Sequence, residues 1–142
     1  MNTQPQIVEI DEKAAALAEY LNISIDEIEN EWSNTYDADG CEYLVLTDGE
    51  ANEYATDYIK ESLWAFNVGF LSSETGLPEE IFTALQPQCE GANDSILKLL
   101  ELGDGLENFA DSAICADGRG HFMSSYDGEE NEQGEYFIYR TN

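Results

Sequence analysis

The sequence predicts an α+β fold in a single domain spanning residues 1–142, with helices packed on a small antiparallel sheet built from two β-hairpins. Three observations predict it. Asp39-Gly40 is a turn dipeptide between two β-capable segments, and CEYLVLT (41–47) is the clearest strand in the chain. The stretch 117–140, DGRGHFMSSYDGEENEQGEYFIYR, places Phe122, Met123 and Tyr126 before, and Tyr136, Phe137, Ile138 and Tyr139 after, a Gly- and acid-rich connection at 127–135. It reads as a second hairpin with a negative tip. Between the two hairpins, apolar residues recur at helical spacing in successive segments.

In chain order, residues 1–8 read as a frayed start. Ile10, Ala14, Leu17 and Leu21 then share one helical face, which Asn22 closes. Ser24, with Glu27 three residues on, has capping-box spacing and opens a second short helix. Ile25 and Ile28 would be its buried pair, and Asp26, Glu27, Glu29 and Glu31 its negative outer side. The first hairpin follows. Its Tyr36-Asp37 and Glu42-Tyr43-Leu44-Val45-Leu46 echo Tyr126-Asp127 and Glu135-Tyr136-Phe137-Ile138-Tyr139. Two hairpins of similar build could pair into one four-stranded sheet, with the helices on one face of it.

Thr47 or Asp48 caps a helix running to about Phe66. Ala51, Tyr54, Ala55, Tyr58, Ile59 and Leu63 lie on or near one side, and Glu50, Glu53, Asp57 and Glu61 on another. Residues 67–76 read as a loop whose Val68, Phe70 and Leu71 pack down. Pro78 suits a helix's first turn, with Glu79 and Glu80 at its positive end and a stop near Pro87. Ile96, Leu99 and Leu100 face inward on a helix at 92–102, which Gly103 and Gly105 break. Leu106, Phe109, Ala110, Ala113 and Ile114 make the last helix, with Gly118 as its C-terminal cap.

The composition excludes more than it assigns. Two Trp, eight Tyr and six Phe, with 42% hydrophobic residues, are enough for a core and too many for a disordered acidic tail. The net charge is −26, from 31 acids and five bases. Direct nucleic-acid binding needs a basic footprint, whereas Lys13, Lys60, Lys98, Arg119 and Arg140 are scattered. An anionic membrane surface is excluded on the same ground. No apolar run approaches a membrane span, and the N-terminus lacks a signal-peptide pattern, so a cytoplasmic location is expected. Cys41, Cys89 and Cys115 form no CxxC pair and read as buried, reduced thiols.

Each candidate chemistry fails on spacing. Placing Gly40 at the obligatory glycine of an EF-hand loop puts Asp37 and Asp39 at ligand positions, but Thr35 at the first and Leu46 at the last. One His and three dispersed thiols do not make a transition-metal site. Cys115 and His121 are close in sequence, but nothing orients them as a nucleophile and base. Gly118-Arg119-Gly120 lacks the Lys-Ser/Thr of a phosphate loop, and Arg119 is expected to bond carboxylates or carbonyls of its own fold. No enzyme activity or cofactor is implied, and an irregular cation site at Asp127, Glu129, Glu130 and Glu132 stays open beside the favoured reading of those acids as a solvated turn.

The acidic charge itself remains to be explained. Solubility needs a net charge of only about 2–8 in a small domain. Imitation of nucleic acid accounts for the excess. On the helix at 48–66 the acids fall about one per 5.5 Å, sparser than the roughly 3.4 Å of a single strand. The segment at 26–31 or the tip at 127–135 would therefore have to lie alongside to approach the density of a duplex. The candidate partner-binding residues are Glu50, Glu53, Asp57 and Glu61 on that helix, and Asp127, Glu129, Glu130 and Glu132 in the connection of the second hairpin.

ADGRGHFMSSYDGEENEQGEYFIYR (116–140), together with EYLVLTDGEANEYATDYIKESLWAFN (42–67), resembles a largely uncharacterised family of small acidic proteins from bacteriophages and mobile elements. The resemblance implies a genomic setting more than an activity. In charge alone the chain is also similar to DNA-mimic inhibitors of restriction enzymes and CRISPR effectors. The reading is therefore an anti-CRISPR or antirestriction type of inhibitor, whose partner is a basic nucleic-acid-binding defence protein of the host. The alternative is a protein-binding adaptor anchored by Tyr58, Trp64, Phe66 and Phe70.

Overall fold

The computed structural model describes residues 11–142, and the expected frayed start and Ile10 lie outside them. The chain is α+β, as its patterning predicts. Five strands form one antiparallel sheet in the order β1-β2-β3-β5-β4. The strands are β1 (Ile28–Trp32), β2 (Thr35–Ala38), β3 (Cys41–Thr47), β4 (Asn131–Gln133) and β5 (Tyr136–Arg140). Helices α2 to α7 fill the chain between β3 and β4, and α1 precedes the sheet.

The two hairpins join as the sequence suggests. β3 pairs with β5 from Tyr43↔Arg140 to Thr47↔Tyr136. Asp39 and Gly40 both take positive φ, 53° and 78°, the type I′ pattern that an Asp-Gly turn favours. Three expectations about the sheet need correction.

First, Ser24 and Glu27 do form a capping box, but it closes only one 3₁₀ turn, Ile25–Glu27. The chain then enters β1 instead of a helix, because Ile28, Glu29 and Asn30 pair with Ala38, Asp37 and Tyr36. Ile25 is exposed, and the sheet gains a fifth, edge strand. Charged side chains on that edge discourage pairing with another chain.

Second, the opening arm of the last hairpin is not Phe122, Met123 and Tyr126. Residues Arg119–Met123 make the short helix α7, which buries Phe122 and Met123. The strand partner is Asn131–Gln133, residues poor in β-propensity. It turns through Gly134, at φ 62°, and Glu135 into β5. Only the first turn position has positive φ, as in a type II′ turn. The supposed nine-residue acidic tip is thus a loop plus an edge strand folded back on the body.

Third, helices cover both faces of the sheet. β3 carries Tyr43 and Val45 on one face and Leu44 and Leu46 on the other, without polar alternation, so both sides need cover. α1 (Glu12–Leu21) places Ala14 and Leu17 against Tyr36, Ala38, Tyr43, Val45 and Ile138. Asp11 caps α1 and also accepts the Tyr36 hydroxyl at 2.9 Å. Leu46 and Tyr139 face the larger core, built with Ala51, Ala55, Ile59, Leu71, Phe82, Ile96 and Phe109.

The remaining helices are α2 (Asp48–Glu61), α3 (Val68–Thr75), α4 (Glu79–Leu85), α5 (Asn93–Glu101) and α6 (Gly105–Asp117). α2 is shorter than expected: Ser62 ends it and a 3₁₀ turn, Leu63–Ala65, follows. α2 buries Ala51, Ala55 and Ile59, while Tyr54 and Tyr58 point outward. Residues 67–76 are a helix rather than a loop. Asn67 accepts from the amides of Gly69 and Phe70 at its start, and Gly76 closes it in the left-handed region. Cys89 and Cys115 are exposed, against the expectation of three buried thiols, and all three cysteines are free.

Candidate functional site

The residue that fixes the acidic surface is a base. Arg119 opens α7 with its side chain only 10% exposed. Its Nη1 donates to Asp48 Oδ1 at 2.8 Å and to Asn52 Oδ1 at 3.1 Å, both at the start of α2. Its Nε and Nη2 grip Glu130 at 2.7 and 3.2 Å in a fork. The guanidinium also lies over the Phe137 ring, 4.6 Å from its centroid. Burial alone would lower its pKa, but the bonds to Glu130 and Asp48 outweigh it and hold the group charged. Glu130 accepts the Tyr139 hydroxyl as well. Burial, and then that bond, push the phenol well above its ordinary range.

Gly120 makes this approach possible. A Cβ there would stand 2.4 Å from the Gly128 carbonyl oxygen and 2.8 Å from the Glu130 amide nitrogen. Both are backbone atoms with nowhere to go. Ser124 Oγ donates to Asp127 at 2.8 Å, and Asp127 also accepts the Glu129 amide at 3.0 Å. The amide first and the Ser124 hydroxyl second hold the Asp127 carboxyl below its usual range. The segment 127–130 is therefore docked on α7 and tied to the N-terminus of α2.

Glu50 is likewise engaged. It closes the α2 capping box, accepting the Thr47 amide at 2.9 Å, and pairs with Lys13 at 2.7 Å. Lys13 also donates to Asn34 at 2.6 Å, so the pair ties α1, the β1–β2 turn and α2 together. Burial pushes the Glu50 carboxyl up, but the Lys13 and Thr47 hydrogen bonds prevail and lower it.

The acids that remain outward form a different set from the one read in the sequence. Glu53 and Asp57, one turn apart on α2, line a depression of about 290 Å³ together with Glu107 and Asp111, one turn apart on α6. Asn52 and Thr56 complete its walls, and no lining residue is basic. Asp111 also borders a neighbouring hollow of about 260 Å³, whose rim carries Glu74 and Asp104. Glu61 continues the α2 row, exposed beyond this depression. Glu129 and Glu132 are exposed on the C-terminal segment and line neither hollow.

The eight sequence-derived residues thus divide. Glu53 and Asp57 are brought together, and Glu61 extends their row. Glu50 and Glu130 are paired with Lys13 and Arg119, Asp127 is exposed but tied to the Ser124 hydroxyl and the Glu129 amide, and Glu129 and Glu132 stand apart. Glu107 and Asp111 were missed. Their i,i+4 spacing on a helix is legible, but their place beside α2 is tertiary. The expected neighbours of the α2 row, at 26–31 and 127–135, do not line this depression; the α6 row does. Two rows of about one charge per 6 Å together carry about one per 3 Å of helix length, divided between two helices, against roughly 3.4 Å along a single strand.

A second surface lies at the far ends of the same two helices. Tyr58, Ala65, Phe66, Phe70, Asp117 and Phe122 line a groove of about 420 Å³, with His121 at its margin. Phe66 stacks on Phe70 at 5.9 Å and meets Phe109 edge-on at 5.1 Å. Three of the four proposed aromatic anchors therefore converge. Trp64 does not: it packs against the main core, its amide bonded to Asn93 Oδ1 at 3.3 Å. His121 and Cys115 are exposed, not buried structural groups.

Among the described residues, no three His, Cys, Asp or Glu side chains are placed to hold one metal ion. Among the same residues, no helix is long and apolar enough to cross a membrane. Comparison with protein-family models, curated proteins and solved structures finds no match.

Proposed function

We propose that this chain is a non-enzymatic inhibitor that occupies the basic, nucleic-acid-binding groove of a bacterial defence protein, of the CRISPR-effector or restriction-enzyme kind. It acts in the cytoplasm of the host, in the phage or mobile-element setting that the resemblance of its sequence implies. One observation carries the reading: Glu53 and Asp57 of α2 stand across a shared depression from Glu107 and Asp111 of α6, with no base among them. Four carboxylates held on two packed helices imitate the charge pitch of a single strand without its flexibility. A groove lined with Lys and Arg would take them in place of nucleic acid. With −26 on the chain, long-range attraction would speed the encounter and fade with added salt.

The test is capture from nuclease-treated bacterial lysate on the tagged full chain, eluted in salt steps. The reading requires a nucleic-acid-binding protein that leaves at moderate salt and is displaced by single-stranded DNA. A partner that stays through high salt and ignores DNA would favour the adaptor reading, for which the convergence of Tyr58, Phe66 and Phe70 speaks.

A further inference from the structure

We propose that the aromatic groove at the ends of α2 and α6 receives an arginine side chain of the basic partner. The identity of that partner class rests on the function proposed above. The groove itself rests on separate observations.

Tyr58 is 55% exposed, a large apolar face left open to solvent. Its ring meets Phe122 at 6.1 Å, so one side is backed by the core. The chain has already solved the same problem twice. Arg119 lies over Phe137, and Arg140 covers the half-exposed Tyr126 ring at 3.6 Å. Among the described residues, no cation of this chain lies over Tyr58. A guanidinium is planar and weakly hydrated, and it stacks on aromatic faces better than an ammonium does.

The electrostatics at this spot call for a cation. Ser62 caps the C-terminus of α2, a helix of 14 residues, and Asp117 ends α6, a helix of 13. Both residues line the groove. A free helix C-terminus carries up to about half a negative charge. At α2, Lys60 in the last turn, and the bonds from Ser62 and Asn93 to the Tyr58, Ile59 and Lys60 carbonyls, offset part of it, so the Asp117 carboxylate is the main attraction. Asp57, which lines the acidic depression, precedes Tyr58 in α2, so the two surfaces lie along the same helix. A second copy of this chain is disfavoured as occupant, because each copy brings −26.

The test is titration of the ¹⁵N-labelled full chain with nona-arginine and with nona-lysine, peptides of equal charge. The proposal requires arginine to bind measurably tighter, by up to about two- to fivefold, the full worth of one exposed cation–π stack that lysine makes only in part. Amide shifts should include Tyr58, Ser62, Ala65 and His121, and Tyr58→Ala should erase the preference while its spectrum stays dispersed. Equal affinities with shifts confined to Glu53, Asp57, Glu107 and Asp111 would overturn the arginine site and leave the acidic-face reading standing. A preference that survives both Tyr58→Ala and Asp117→Asn would overturn it too. Binding of neither peptide would remove both readings. Concentration-dependent broadening without peptide, relieved in Tyr58→Ala, would give the groove to a second copy and overturn the proposal.

Discussion

Replacing Arg119 with Met removes the clasp that holds the C-terminal segment against α2, while keeping most of the side chain's bulk. The loss can be sized from the geometry. Breaking a fully buried pair costs about 3–5 kcal/mol, because the partner charge is left stranded. Here the guanidinium is 10% exposed, but Asp48 is 71% and Glu130 29% exposed. Asp48 simply rehydrates, so its share is discounted to at most about 0.5 kcal/mol. Glu130 keeps the Tyr139 hydroxyl and part of its water, which leaves about 1–2 kcal/mol, and the lost stack on Phe137 adds about 0.5 kcal/mol. The sum is about 2–3 kcal/mol, or roughly 6–12 °C in Tm for a chain of this length.

Thermal unfolding followed by circular dichroism reads this directly. Arg119→Lys should fall between wild type and Arg119→Met, since it keeps the charge and loses the fork. A double-mutant cycle with Glu130→Gln should return a coupling of about 1–2 kcal/mol. The cycle also cancels the extra self-repulsion that follows from removing a base. A Tm for Arg119→Met within about 2 °C of wild type would refute the reasoning and reduce the clasp to an ordinary surface pair.

Two further predictions test the framework around the site. Gly120→Ala drives a methyl into the Gly128 carbonyl and should cost about 1–3 kcal/mol, with NMR shifts running through residues 127–130; a neutral variant with an unchanged spectrum would deny the close approach. The Glu50 carboxyl is depressed by Lys13 and Thr47, so the stability it contributes is present above its ordinary pKa of about 4.5 and is lost as pH falls through the lower folded value. The stability gap between wild type and Lys13→Met, measured by urea denaturation, should therefore narrow on acidification; a gap constant with pH would assign the Lys13 effect to packing.

The fold was legible where local and tertiary demands agree. Asp39-Gly40 dictates its own turn, and the helical stripe of Ala51, Ala55 and Ile59 has only one way to be buried. It was illegible where tertiary pairing overrides propensity. Phe122 and Met123 look β-prone, yet the Arg119 clasp and the aromatic core hold them in a helical turn. Asn131–Gln133 looks like loop and becomes a strand because β5 has a free edge to offer. Ile28 followed by acids resembles an amphipathic helix, but β2 recruits it. The apolar run of β3 did carry a signal for two covered faces, in its lack of alternation. At the site, the row of Glu53 and Asp57 follows from helical spacing alone. That Glu107 and Asp111 stand opposite, and that Glu50 and Glu130 turn inward to Lys13 and Arg119, depends on contacts between distant segments that no local pattern encodes.

The central claim, that paired acidic rows rather than bulk charge make the binding surface, is tested most directly by one matched comparison. Glu53, Asp57, Glu107 and Asp111 are all changed to Lys in one variant, and the exposed Glu19, Glu29, Glu90 and Glu101 in another. Each set adds eight units of charge, taking the chain from −26 to −18. Salt-stepped capture of the nucleic-acid-binding partner is then compared for both variants, with folding checked by circular dichroism. The account predicts that the first variant loses the partner and the second keeps it. Equal behaviour of the two, whether both bind or both fail, would contradict it.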